Sequence, residues 1–227
     1  MKLALIDYDH SLFMTEKFWE AAVEAVVRLF GDEYDITAGY LEAERSDRRP
    51  GSPGRVAGGE GYDLFAHLRD GYGINPQMAR AKLIKELLGG SWLYPHAQEL
   101  IQHLKLRGYK VLVVTVGVTD FQWFKLDCVP GFEKLLDGFL PIPYNKGYLA
   151  QYVCDGFADF PGDPVTKIVL VCDSPSTFEA VGDYRHLLGI QLVGRPKNPT
   201  ATTAVWVHGI TGLEQAPALI DAFEAEC

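Results

Sequence analysis

An acid pair set directly behind a buried strand constrains this chain more than any other feature. Residues 2–13 read KLALIDYDHSLF. Leu3, Ala4, Leu5 and Ile6 form an apolar run that suits a strand covered on both faces, as in a parallel sheet. The run stops at Asp7-Tyr8-Asp9-His10-Ser11. Carboxylates at the end of a buried strand are costly unless they meet a metal ion or a partner. In open α/β sheets the carboxyl ends of the strands are where ligands bind. Asp7 and Asp9 are therefore the first candidates for a site.

The rest of the chain alternates helical and strand patterns. Phe18, Trp19, Ala22, Val23, Val26, Val27 and Phe30 recur at helical spacing, with Thr15 as the expected N-cap and Gly31 as the stop. Further helices are predicted over residues 62–69, 77–88 and 96–107. Residues 111–114 read as a second buried strand, ending in Thr115-Val116-Gly117. A weaker strand at 139–142 carries prolines that suit a sheet edge. A helix follows over 147–153, then a strong strand at 168–172 that ends in Asp173-Ser174. A helix over 177–188, strands at 191–193 and 204–207, and a last helix over 217–226 complete the pattern.

Strands alternating with helices indicate a parallel sheet with right-handed crossovers. The first two strands are separated by almost 100 residues, far more than an ordinary crossover needs. The expected fold is α/β, a three-layer Rossmann-like parallel sheet core built from 1–13 and 91–227, with 14–90 inserted as an α-helical cap. Residues 45–61, RSDRRPGSPGRVAGGEG, read as a loop, and Arg45, Arg48, Arg49 and Arg55 make it the chain's most anion-attracting segment.

Charge narrows the function. With 30 acids against 21 lysines and arginines, the formal net charge is −9, which argues against a general nucleic-acid binder. The N-terminus lacks the pattern of a signal peptide, and no apolar run approaches ~20 residues, so neither secretion nor a membrane span is expected. A cytoplasmic setting is the default. Cys128, Cys154, Cys172 and Cys227 form no C-x-x-C pair, and Cys154 and Cys172 read as small core hydrophobes.

Three strand ends carry the chemistry: Asp7 and Asp9 after the first, Thr115 after the second, Asp173 and Ser174 after the fourth. Lys146, soon after the third strand, emerges at the same pole, whereas Lys167 precedes the fourth and belongs to the other. This set suits phosphoryl transfer. One carboxylate can act as nucleophile and another as general acid and base, while a hydroxyl and an ammonium hold phosphoryl oxygens. Mg²⁺, which takes one or two carboxylates and keeps several waters, fits such a site.

In LALIDYDHSLF, VLVVTVG and VLVCDSPSTFEA, with a lysine between the last two, the chain resembles the haloacid dehalogenase-like (HAD) hydrolases. YPHAQELIQHLKLRGYKVLVVTVG is similar to the lead-in to the second motif in members whose cap follows the first strand. The resemblance implies Asp7 as nucleophile and metal ligand. It implies Asp9 as general acid and base, its carbonyl also on the metal, and Asp173 as the further metal ligand. Thr115, Val116 and Lys146 would bind the substrate's phosphoryl group. Dehalogenating members lack an acid at the position of Asp9, so the resemblance implies a Mg²⁺-dependent phosphatase of a small phosphorylated metabolite. The chain departs from the pattern at Thr177, where many relatives have an acid, and at Cys172, where glycine is usual. A HAD-fold protein that binds a phosphorylated ligand or partner without turnover is the alternative. A receiver-like phospho-acceptor module uses similar residues but is shorter.

Overall fold

The computed structural model describes residues 1–34, 36–37, 62–156 and 164–226. Its strands are β1 (Lys2–Asp7), β2 (Tyr109–Val116), β3 (Gly138–Ile142), β4 (Lys167–Cys172), β5 (Leu187–Leu192) and β6 (Val207–Ile210). They form one sheet in the order β3-β2-β1-β4-β5-β6, and every pairing is parallel. The first strand is thus central, and the proline-bearing β3 lies at an edge, where a missing N–H costs least.

The helices among the described residues are α1 (Thr15–Phe30), α2 (Leu64–Tyr72), α3 (Pro76–Leu87), α4 (Ala97–Leu106), α5 (Thr119–Asp127), α6 (Lys146–Cys154), α7 (Pro175–Glu179) and α8 (Ala216–Ala225). Side chains alternate across the sheet. Leu3 and Leu5 of β1 join Ile168 and Leu170 of β4 beneath Ala150, Val153 and Phe178 of α6 and α7. Ala4 and Ile6 face the other way, with Val111, Val113, Val169 and Val171, towards Leu100, Ile101 and Leu104 of α4 and Ile220 of α8. Two covered faces explain why the interiors of β1 and β4, Leu3–Ile6 and Ile168–Cys172, are apolar without a break.

The chain leaves β1 and returns towards α4 past one place. Met14 N donates to Trp92 O at 2.7 Å, and Tyr94 N donates to Leu12 O at 2.8 Å. Helix α3 then ties back to α5: Arg80 donates to the Asp120 carbonyl at 2.7 Å and to Asp127 at 2.6 Å. Residues 45–61, the expected arginine-rich loop, lie outside the described residues.

Four expectations are corrected. The predicted helix over 177–188 is the short α7, and Leu187 already begins β5. All six residues of β5 are buried between β4 and β6, a case in which tertiary burial decides a run that periodicity leaves ambiguous. The strands foreseen at 191–193 and 204–207 move accordingly to 187–192 and 207–210. The helix α5 has no counterpart in the sequence reading. Thr15 is not the N-cap of α1 but its first residue; Met14 caps the helix, and the Thr15 hydroxyl turns to Asp9.

Candidate active site

The turn after β1 aims its acids. Leu12 N and Phe13 N both donate to Tyr8 O, at 3.0 and 2.9 Å, and His10 sits at φ 60°, a left-handed conformation rare for residues with a side chain. This tight turn leaves Asp7 and Asp9 facing a cavity of about 400 Å³ beyond the strand ends. Val116, Lys125, Lys146, Asp173, Thr177 and Asn198 are among its other lining residues.

Asp7 is 2% exposed. Its Oδ1 accepts from Lys146 Nζ at 2.7 Å, and its Oδ2 accepts from Ser11 Oγ at 3.2 Å and Cys172 Sγ at 3.3 Å. Burial pushes the Asp7 carboxyl up to about 7; the Lys146 ammonium draws it down and neighbouring Asp173 pushes it up again. Burial also opposes the charge on Lys146, but Asp7 outweighs it and holds the ammonium protonated, above the usual lysine range.

The placement of Lys146 has a local cause. It opens α6, whose N-cap Asn145 accepts from Gly147 N at 2.8 Å and donates to Ser176 O at 3.2 Å. A Cβ on Gly147 would lie 2.2 Å from the Thr177 carbonyl oxygen, so only glycine lets α6 approach α7 this closely. The two helix starts are thereby locked side by side, with Lys146 over Asp7.

Asp9 is satisfied from three elements. Its Oδ1 accepts from Lys125 Nζ on α5 and from Thr15 Oγ1 on α1 at 2.7 Å; its Oδ2 accepts from Thr115 Oγ1 at the end of β2 at 3.0 Å. Burial alone would raise the Asp9 carboxyl, but Lys125 and the Thr15 hydroxyl overcome it and hold the group well below the usual carboxylate range. Thr119 is exposed at the start of α5 and takes no part in this network.

Asp173 is 3% exposed and accepts from Asn198 Nδ2 at 2.7 Å. Beneath it Gln191 Nε2 donates to the Asp173 and Thr200 carbonyls, at 3.0 and 2.9 Å, and so fastens the loop after β5 to the site. Cys172 is buried, as expected of a core hydrophobe, but its thiol lies among the acids and its sulfur also meets Thr177 Oγ1 at 3.3 Å. Burial and the flanking carboxylates push that thiol well above its ordinary value.

The donor set fits a divalent cation. One oxygen each from Asp7 and Asp173, with Cys172 Sγ, lie within 4.8 Å of one another, and among the described residues one ammonium, that of Lys146, is bonded to these two buried carboxylates. Hard oxygen donors of this kind suit Mg²⁺; the thiol does not. The structure therefore brings together all the residues singled out in the sequence: Asp7, Asp9, Thr115, Val116, Lys146 and Asp173. Lys125, Asn198 and Gln191 were missed. Lys125 sits on the unforeseen α5, and Asn198 in an irregular loop; the one signal available was a buried polar Gln191 inside an apolar strand.

No protein-family model matches the chain, and no curated protein does. Solved structures do. A haloacid dehalogenase-like hydrolase from Burkholderia xenovorans LB400 is 18% identical, with a TM-score of 0.66 over 98% of this chain and 97% of that one. CbbY from Rhodobacter sphaeroides, solved in complex with phosphate, is 15% identical, with a TM-score of 0.57 over 97% and 99%. The HAD-hydrolase YfnB from Bacillus subtilis, bound to magnesium, is 20% identical, with a TM-score of 0.56 over 97% and 98%. A 2-haloacid dehalogenase from Pseudomonas syringae also matches. The chain has the fold of the haloacid dehalogenase-like hydrolases. No helix among the described residues is long and apolar enough to cross a membrane.

Proposed function

We propose that this chain is a HAD-like hydrolase that cleaves a small phosphomonoester through a phospho-aspartate on Asp7, with Mg²⁺ as cofactor. The observation that carries the reading is the pairing of Asp7, under Lys146, with a second carboxylate two residues on. By the resemblance, dehalogenating members have no acid at the position of Asp9. Here a second acid and a basic cluster face the same cavity, as transfer of an anionic group requires. The fold is shared with dehalogenases, and fold alone does not choose between the two chemistries.

In this mechanism the Lys146 ammonium and the Thr115 hydroxyl hold phosphoryl oxygens, and the backbone at Val116 lines their seat. Asp7 attacks phosphorus in line with the leaving oxygen. Asp9, ionised in the free site, takes up the proton carried by the bound phosphomonoester monoanion, delivers it to that oxygen and later takes one from the water that hydrolyses the acyl phosphate. Asp7, Asp173 and the Asp9 carbonyl would hold Mg²⁺, with Asn198 orienting Asp173. When bound, the cation neutralises charge between the nucleophile and the anionic substrate.

Residues 14–90 form the cap in this reading. The paired chain passages at Leu12–Met14 and Trp92–Tyr94 support it, because they bring both ends of the insert together beside the site. A cavity of about 400 Å³ suits a small phosphorylated metabolite. The test is a panel of phosphomonoesters and 2-haloacids assayed with Mg²⁺ and with chelator. Phosphate release that needs Mg²⁺ supports the reading; halide release without phosphate release overturns it.

A further inference from the structure

Lys125 has no task in the mechanism above, yet it is only 2% exposed and its ammonium reaches into the cavity. Three aromatic rings enclose it: Tyr8 and Phe13 with centroids at 5.6 Å, and Phe121 at 5.5 Å. Tyr8 and Phe13 belong to the same turn as Asp9, so the lysine is clasped by the segment it serves. Among the described residues, the acceptor its ammonium meets is Asp9 Oδ1. Packing does not ask for a charge here, since an aliphatic side chain would fill an aromatic-walled space at lower cost.

The three donors to Asp9 are unequal. Thr15 and Thr115 carry hydroxyls that rotate freely and can turn to another acceptor. Lys125 is walled in and cannot re-aim without leaving a buried cation unpaired. Its grip on Oδ1 leaves Oδ2 towards Thr115 at the end of β2, beside the Asp7 nucleophile.

We propose that Lys125 is a positioning residue for Asp9: its enclosed ammonium fixes the Asp9 carboxylate against Thr115, facing the cavity where the leaving oxygen of a phosphomonoester must lie. This rests on the phosphatase reading. Small displacements of a proton-transfer group are expensive in rate, with about 1 Å of misplacement worth up to ~100-fold. Ground-state contacts to phosphate come from Lys146 and Thr115 and do not involve Lys125.

The test is Lys125→Met, similar in length and uncharged, with Lys125→Gln as a second variant that keeps an N–H donor should the first fail to fold. A crystal structure of the variant is expected to show the Asp9 carboxylate turned away from Thr115. Steady-state kinetics should show kcat lower by about 10- to 100-fold with KM unchanged, and calorimetric binding of inorganic phosphate unchanged. Adding Lys125→Met to Asp9→Asn should cost little further rate. Asp9 still seated on Thr115 in the variant's crystal structure overturns the proposal, as does an unmoved kcat or an equal loss in KM. If the parent turns over no phosphomonoester, the phosphatase reading fails, and the variant's crystal structure still decides whether Lys125 positions Asp9.

Discussion

Without a cation, this protein should lose stability as pH rises from 4 to 8, the reverse of what ion-paired carboxylates produce. The cause is Asp7, raised from 3.8 to about 7 by burial and by Asp173. A group whose folded-state value is raised binds its proton more tightly in the native state. Between the two values the native state therefore holds more protons than the unfolded one, and stability falls with pH. At about 1.4 kcal/mol per pH unit, the loss from pH 4 to pH 8 approaches ~4 kcal/mol. Asp9, which is lowered, acts in the opposite sense but in a different window: its contribution is present above about pH 4 and disappears as pH falls below it. Mg²⁺ binds only the ionised form of Asp7, so it should cancel the slope. At 100 times its dissociation constant it should add about 2.7 kcal/mol where Asp7 is already ionised. The assay is urea unfolding from pH 4.5 to pH 8, with chelator and with saturating Mg²⁺, on the parent and on Asp7→Asn. The account requires a falling curve in chelator, a flatter one in Mg²⁺, and no slope of this origin in the variant. A chelator curve that rises with pH would refute the charge balance assigned to the site.

Asp9→Ala should lower kcat by roughly 10²- to 10⁴-fold and leave KM nearly unchanged; steady-state kinetics with an unchanged kcat would remove Asp9 from the mechanism. It should also destabilise the fold by about 3–5 kcal/mol, because it strands the Lys125 ammonium in its aromatic enclosure, and denaturant unfolding reads that loss. Thr177→Asp should tighten Mg²⁺ by about 10- to 100-fold in calorimetry, since it adds an acid beside Cys172 and Asp7 where the parent has a neutral hydroxyl. An unchanged or weaker affinity would mean that another group already plays this part. Gly147→Val should reduce activity by pushing α6 off α7 and carrying Lys146 from Asp7, and weakened binding of inorganic phosphate would show it.

The parts of the fold that were legible in the sequence are those in which burial leaves a periodic trace. The strands β1 and β4 are covered on both faces and are apolar after their opening lysines, and an acid stands at the end of the first and directly after the second, so both the strand and the site could be read together. Lys146 and Thr115 followed from the parallel topology, which sends every strand end to one pole. The misses share a cause. Leu187–Leu192 is apolar but contains Gly189 and Gln191, and only its pairing with β4 and β6 makes it a strand. The helix α5 buries Gln122 and Lys125 along with Phe124 and Leu126, which erases the amphipathic stripe. Its lysine carries no mark in the sequence, because nothing local shows that Tyr8, Phe13 and Asp9 close over it. Asn198 reaches Asp173 from a loop whose course is set by Gln191, a contact that no spacing rule encodes.

The central claim is that Asp7 carries the phosphoryl group. The direct measurement is to mix the protein with Mg²⁺ and a phosphomonoester that it turns over, quench in acid during the steady state, and map the phosphorylated residue by peptide mass spectrometry. The account predicts one phosphoryl group on Asp7 in the peptide that contains KLALIDYDHSLF, absent when Asp7→Asn is treated in the same way. Steady turnover with the phosphoryl group on another residue, or undiminished turnover by Asp7→Asn, would contradict it.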